Sequence, residues 1–162
     1  MPANQENAVL EEAKNDKKVG KSQYVVFNIC EEEYGIEIGY TREIIKSAQI
    51  TNVPNSEEHV LGVINLRGII VPVINLHSRF QIKEEKSNFA EDESRIITIE
   101  VNDLKLGIQV DFIEGIVWLD EEKITTAPET EDGIRSDFLK GVCPRSENQL
   151  LILLDLEKTL FA

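Results

Sequence analysis

Four groups of residues in this chain are of types that could carry chemistry. His59 and His77 are the only histidines. Neither stands in a His-x-x-x-His or Ser/His/Asp-like context, and two histidines alone do not build the usual metal sites. Both read as exposed or helix-end residues. Cys30 ends a strand-like run beside Glu31–Glu33, and acidic neighbours raise a thiol pKa, the wrong direction for a nucleophile. Cys143 stands before a proline and reads as structural. Carboxylates cluster at Glu31–Glu33, Glu57-Glu58, Glu84-Glu85, Glu91–Glu93, Asp120–Glu122 and Glu129–Asp132. Such runs can do acid/base work or bind Mg²⁺ and Ca²⁺, but they fall in turns and loops, where solvated charge is the default. None makes an EF-hand loop, and no glycine-rich phosphate loop is present. The residues therefore predict no catalytic group, no metal and no cofactor.

The fourth candidate is Arg67, at the centre of VINLRGIIVPVINL (Val63 to Leu76), the most apolar window of an acidic chain. Arginine presents a planar fork of donors suited to carboxylates and is enriched at interface hot spots. Beside an apolar groove it would anchor a helix carrying acids and leucines.

The elements that must position these residues are mostly strands. Met1 to Ser22 is polar and mixed in charge; VLEEAKNDKK could form a fraying helix, but a flexible tail is the favoured reading. QYVVFNI opens the ordered part as a β-branched, aromatic strand, and YGIEI alternates apolar and acidic residues like a half-buried strand. TREIIKSAQI is locally ambiguous between a helical turn and a strand. NSEEHVLG reads as a short helix or turn. VINL and IIVPVINL are strands joined at Arg67-Gly68, where glycine supplies the positive φ of a tight hairpin. Pro72 cannot donate to a ladder, so its strand should lie at an edge or bulge there. LHSRFQI predicts a short helix and Lys83–Ser94 a charged loop. RIITIEV, KLGIQV, DFIEGIVWL and QLLILL continue as strands, and DLEKTLFA closes the chain as a short helix.

The second half repeats the first. Tyr34-Gly35-Ile36 aligns with Leu106-Gly107-Ile108, and Ile44-Ile45 with Ile116-Val117. Leu61-Gly62-Val63 resembles Lys140-Gly141-Val142, and Val73-Ile74-Asn75-Leu76 resembles Leu153-Leu154-Asp155-Leu156. The offset drifts from 72 to 80 residues, as loop insertions would produce. Two small β-rich copies, each too small to be comfortable alone, predict a pair of barrels around a shared apolar core. We expect them at about 23–82 and 94–155, with a helix at 155–161 packing back. Where the copies differ, a site is expected: the first hairpin tip is Asn65-Leu66-Arg67-Gly68, the second Arg145-Ser146-Glu147-Asn148.

The 162 residues suit one compact unit or two small lobes, and a net charge of -13 opposes attraction to nucleic-acid backbones or anionic lipid. It leaves room for a local basic spot. Aromatics are few and lie in apolar runs, so a stacking platform for single strands is not indicated; Trp118 reads as core or interface. No apolar run approaches the roughly 20 residues a membrane helix needs, and the N-terminus lacks signal-peptide character. These features predict a cytoplasmic protein with reduced thiols.

Leu61-Gly62-Val63-Ile64-Asn65-Leu66-Arg67-Gly68 followed by Ile70-Val71-Pro72-Val73-Ile74-Asn75-Leu76 resembles the signature of the CheW family of bacterial chemotaxis coupling proteins. Glu33-Tyr34-Gly35-Ile36, Arg42-Glu43-Ile44-Ile45 and Leu106-Gly107-Ile108 extend the resemblance, which runs from about Gln23 to Phe161. It implies two five-stranded SH3-like β-barrel subdomains around a shared core, and a non-catalytic adaptor. The implied partners are the regulatory domain of the histidine kinase CheA and the cytoplasmic helical tip of methyl-accepting chemoreceptors, in membrane-associated arrays. The receptor tip would dock in the groove between subdomains. No nucleic acid and no direct membrane insertion are implied. Carried over by position, Asn65, Leu66, Arg67 and Gly68 form the receptor motif, Gly62 a position where bulk would disturb it, and Ile38, Thr41, Glu43 and Ile44 the segment lining the receptor side. Thr41, Gly39-Tyr40 and Asn75 depart from the common pattern. No kinase-binding residue is assigned. The alternative is a regulatory-domain-like module of another two-component assembly.

Overall fold

The computed structural model describes residues 3–46, 50–80, 89–126, 138–146 and 149–161. Helix α1 (Ala3–Lys14) leads into β1 (Lys21–Ile29), β2 (Glu32–Glu37) and, after a 3-10 turn at Ile38–Tyr40, β3 (Thr41–Lys46). Then follow β4 (Val60–Leu66), β5 (Ile69–Ile74), α2 (Leu76–Arg79), β6 (Arg95–Val101), β7 (Leu104–Val110), β8 (Phe112–Asp120), β9 (Leu139–Ser146), β10 (Gln149–Leu154) and α3 (Leu156–Phe161). The chain is mainly β. Of the ambiguous TREIIKSAQI segment, Thr41–Lys46 is the strand β3, whose burial alternates only weakly, and residues 47–49 lie outside the described residues.

The strands form two five-stranded sheets, ordered β8-β1-β2-β10-β9 and β3-β6-β7-β5-β4. Each sheet draws on both halves of the sequence, so the two bodies are not the contiguous blocks 23–82 and 94–155. The exchange obeys the repeat. In one sheet Leu153 sits opposite Gly35 in a parallel pair; in the other Val73 sits opposite Gly107. Likewise Val25 faces Ile116 while Ile97 faces Ile44. Every pair maps onto its counterpart when the copies are exchanged, as a pseudo-twofold arrangement requires. The glycines fit the close approach: a Cβ on Gly35 would lie 2.9 Å from the Leu153 side chain, and one on Gly107 2.9 Å from that of Ile96.

The exchange leaves one principal core between the sheets. Val25, Phe27, Tyr34, Ile36, Ile97, Ile99, Ile108 and Leu154 are buried there. Smaller clusters fill each sheet's own concave side, around Tyr24 and Leu151 in one and Ile64 and Val73 in the other. Both short helices are capped alike: Asn75 Oδ1 accepts from Ser78 N at 3.1 Å, and Asp155 Oδ1 from Lys158 N at 3.2 Å, each satisfying one orphan donor of a helix start.

Two local expectations differ from what the structure shows. Pro72 lies in a strand flanked on both sides, but the β5–β7 ladder begins only at Val73, so the stretch through Pro72 pairs only with β4 and its missing N–H costs no second ladder. Met1–Ser22 was expected to be a flexible tail, yet α1 occupies most of it. A 12-residue helix is marginal alone in water; here tertiary contacts hold it. Leu10 is 0% exposed in the principal core, a burial worth about 1.5–3 kcal/mol. Glu6 pairs with Arg95 at 3.2 Å in a largely desolvated bridge.

Candidate functional site

The β4–β5 turn fixes the position of Arg67. Arg67 and Gly68 both have positive φ, at 51° and 85°, the conformation of a two-residue hairpin turn. Asn65 Oδ1 accepts from Gly68 N at 2.8 Å and stiffens the tip. The Arg67 side chain is 72% exposed. Its guanidinium donates to both oxygens of Glu43 on β3, Nη2 to Oε1 at 2.6 Å and Nη1 to Oε2 at 3.2 Å. These hydrogen bonds, with the attraction of the Glu43 charge, raise the already high pKa of Arg67. The guanidinium is thus a constant positive charge, held in one orientation at an open surface.

The pair also draws together the two outer strands of its sheet, β3 and β4. Farther along, Thr51 and Val63 exchange two backbone hydrogen bonds of 2.9 Å each. The sheet curls toward a small SH3-like barrel. Gly62 makes this approach possible, since a Cβ there would lie 2.3 Å from Thr51 O. The other sheet repeats the bridge at Thr125 and Val142, with Gly141 under Thr125 O. It does not repeat the fork: Gly115 stands opposite Glu43 in the repeat, and residues 147–148 of the second tip lie outside the described residues. Its nearest electrostatic counterpart is Lys140, bonded to Glu37 at 2.6 Å and 3.4 Å from Glu121. Burial works to lower the Lys140 pKa, but hydrogen bonds to Glu37 and Tyr24 outweigh it and hold it above the ordinary lysine range.

The structure brings the receptor-side candidates together on one side of the molecule but at two depths. Arg67, Asn65 and Gly68 are exposed, while Leu66, Ile38 and Glu43 are half-buried. Thr41 and Ile44 are buried, at 0% and 3% exposure, and Gly62 is buried beneath the Thr51 strand. Those three shape the surface from below instead of presenting atoms to it: the Thr41 hydroxyl donates to Ile38 O at 2.7 Å and fixes the turn before β3. Sequence reading did not single out Ile69 and Ile70, 47% and 61% exposed beside Arg67, or Leu150, 54% exposed on the equivalent strand β10. An all-apolar run such as IIVPVI carries no alternation from which outward-facing positions could be told.

The remaining candidates are structural. His77, read as exposed or helix-end, is in α2 but buried, with Nε2 3.1 Å from the Tyr34 hydroxyl. Burial pushes the Tyr34 phenol far above its usual range. Neither cysteine is in a disulfide; Cys143 is buried and Cys30 half-buried at the β1–β2 turn. Trp118 is half-buried, with Lys18 Nζ 4.8 Å from its ring centroid. Among the described residues no group of three or more His, Cys, Asp and Glu is arranged to hold a metal, and no helix is long and apolar enough to cross a membrane. The Glu84-Glu85 and Glu129–Asp132 runs lie outside the described residues.

Fold and site together define a class: a strand-exchanged, twofold SH3-like β module whose distinguishing feature is an oriented surface arginine flanked by exposed isoleucines. A family model described as the CheW-like domain matches residues 23–161. The chemotaxis protein CheW of Treponema pallidum is 34% identical over 137 residues, covering 84% of this chain and 80% of that one. The protein of the same name from Bacillus subtilis is 34% identical over 138 residues, covering 84% and 85%. The crystal structure of the scaffolding protein TtCheW from Thermoanaerobacter tengcongensis superposes with a TM-score of 0.78 at 31% identity, covering 91% of this chain and 92% of that one. The chain belongs to the CheW family.

Proposed function

We propose that this protein is a non-catalytic adaptor of bacterial chemotaxis, coupling the cytoplasmic helical tip of chemoreceptors to the regulatory domain of the histidine kinase CheA in arrays at the membrane. Family membership supports the adaptor role, and relatives that match most of this chain carry the name chemotaxis protein. The observation that carries the site assignment is the Arg67–Glu43 fork, exposed on the first hairpin and without a counterpart at Gly115. An oriented arginine beside Ile69 and Ile70 joins a carboxylate-reading fork to an apolar contact, the composition of an interface hot spot. Leu66, Asn65 and Gly68 hold that tip, and Ile38, Thr41, Ile44 and Gly62 form its base. The mechanism is geometric. One rigid body holds receptor helix and kinase domain in a fixed relation, and a shift in the receptor biases the kinase through contacts that differ between its two states.

The test is calorimetry with a soluble receptor-tip hairpin. Arg67→Ala should keep the circular dichroism spectrum and weaken binding. Arg67→Glu, which also repels Glu43, should weaken it further. Folded Arg67→Glu that binds like wild type would remove Arg67 from the site.

A further inference from the structure

The family match begins at residue 23, so α1 lies outside the matched residues, and its placement is specific. β3 is an outer strand of its sheet, and a free strand edge exposes unpaired backbone groups. At Ile44 those groups are taken by one side chain: Asn7 Nδ2 donates to Ile44 O at 3.0 Å, and Ile44 N donates to Asn7 Oδ1 at 2.7 Å. The carboxamide stands where a neighbouring strand's peptide group would. Leu10 enters the principal core, Lys14 Nζ donates to Thr41 O, and Gln23 of β1 donates to Ala13 O at the helix's C-terminal end. The helix therefore lies between β1 of one sheet and β3 of the other, over Thr41 and Ile44, in a groove that accepts a helix by a carboxamide, a leucine three residues on and a polar group four further.

The groove continues past α1. A shallow open cavity beyond its C-terminal end is lined by Lys14, Lys17, Lys18, Lys21, Ile38 and Trp118, with Asp16 and Glu37 as the carboxylates among the described residues. Four lysines in one depression are a concentrated exception in a chain of net charge -13, and they favour an acidic occupant.

We propose that α1 is a built-in competitor for the helix-accepting groove between β1 and β3, and that an acidic amphipathic partner helix gains its foothold in the lysine-lined end and displaces α1. This rests on the reading that the partner is a receptor helix docking near Ile38, Thr41 and Ile44. It adds that the chain's own N-terminal segment sets the affinity. Displacement is feasible because, among its described side chains, α1 inserts one leucine into the core and is otherwise held by polar contacts, the Glu6–Arg95 pair included, that a partner helix or water can replace.

The experiment uses the full chain and a soluble receptor-tip helical hairpin, read by calorimetry and by amide hydrogen exchange over residues 6–14. Asn7→Ala, which removes both bonds to Ile44 without touching the core, should bind the hairpin about tenfold more tightly than wild type. In wild type, protection of residues 6–14 should fall when the hairpin binds. A Lys17→Gln/Lys18→Gln/Lys21→Gln variant should bind more weakly, with a smaller salt dependence. If Asn7→Ala binds with wild-type affinity and residues 6–14 stay protected in the complex, α1 is not a competitor, and the receptor reading stands without it. If neither wild type nor Asn7→Ala binds the hairpin, the receptor reading falls and takes this inference with it.

Discussion

Replacing Gly62 by alanine tests the barrel closure that presents Arg67. Gly62 has φ of 152°, and an added Cβ would meet Thr51 O at 2.3 Å and Thr51 C at 2.8 Å. Both obstacles are backbone, so no rotamer change relieves them. Holding alanine in a sparsely populated backbone region costs about 1–3 kcal/mol. Pushing Thr51 away breaks its two hydrogen bonds with Val63, at about 0.5–1.5 kcal/mol each. The sum is about 2–6 kcal/mol, which for a chain of this size lowers Tm by about 5–20 °C. Two other glycines serve as controls. Gly68 has φ of 85° but nothing within 4 Å, so Gly68→Ala should cost only the left-handed backbone penalty of about 1–2 kcal/mol. Gly141 lies under Thr125 O at 2.7 Å and lacks the positive φ, so Gly141→Ala should fall between them. Thermal unfolding of the three variants, followed by circular dichroism, gives the ranking. Receptor-tip binding should drop in Gly62→Ala because β4 carries the Asn65–Gly68 tip. A Gly62→Ala protein melting within a degree of wild type, or above Gly68→Ala, would refute the closure argument.

Two further outcomes follow from other residues. The hydrogen bond with Ser22, aided by Lys140 and opposed by burial, holds the Glu121 carboxyl below the usual carboxylate range. Because its folded pKa is depressed, its stabilisation is present above the unfolded value, near pH 4.5, and is lost as pH falls through the folded value. Denaturant titrations should show Glu121→Gln less stable than wild type near neutrality, with the gap closing below pH 4.5; a gap that widens in acid would reverse the assignment. In native protein, Ellman's reagent should reach Cys30 well before Cys143, since only Cys143 is buried, and denaturant should make the two equally reactive.

The strands were legible because short β-branched and apolar runs stand between turn residues, with alternation to help only in runs such as YGIEI, and the repeat because both copies must place glycine where strands pass closely, as at Gly35 and Gly107. TREIIK was not legible: all six residues are strand, but their burial alternates only weakly and a 3-10 turn at Ile38–Tyr40 runs directly into them. The N-terminal segment offered a fraying helix in VLEEAKNDKK but reads as a tail, because its sequence is polar and one leucine among acids and lysines signals no packing until its pocket is known. Arg67 was legible as an anomaly, an arginine in an apolar window absent from the second copy. Its ion-pair partner was not, since Glu43 lies 24 residues away and nothing local joins them. Burial sorted the remaining candidates: Thr41, Ile44 and Gly62 lie in matching segments, but only packing tells that they face inward.

By itself, then, the amino-acid sequence determined the β-rich class, the duplication, the hairpin turn at Arg67-Gly68 and the residue that distinguishes one copy from the other. These follow from local periodicity and from the few residues able to adopt positive φ. Tertiary structure alone decided that the copies exchange strands, that α1 seals the β3 edge, and that Arg67 is aimed by Glu43. Each of those depends on which distant backbone or charge a residue meets, and short-range patterning does not encode partners far along the chain.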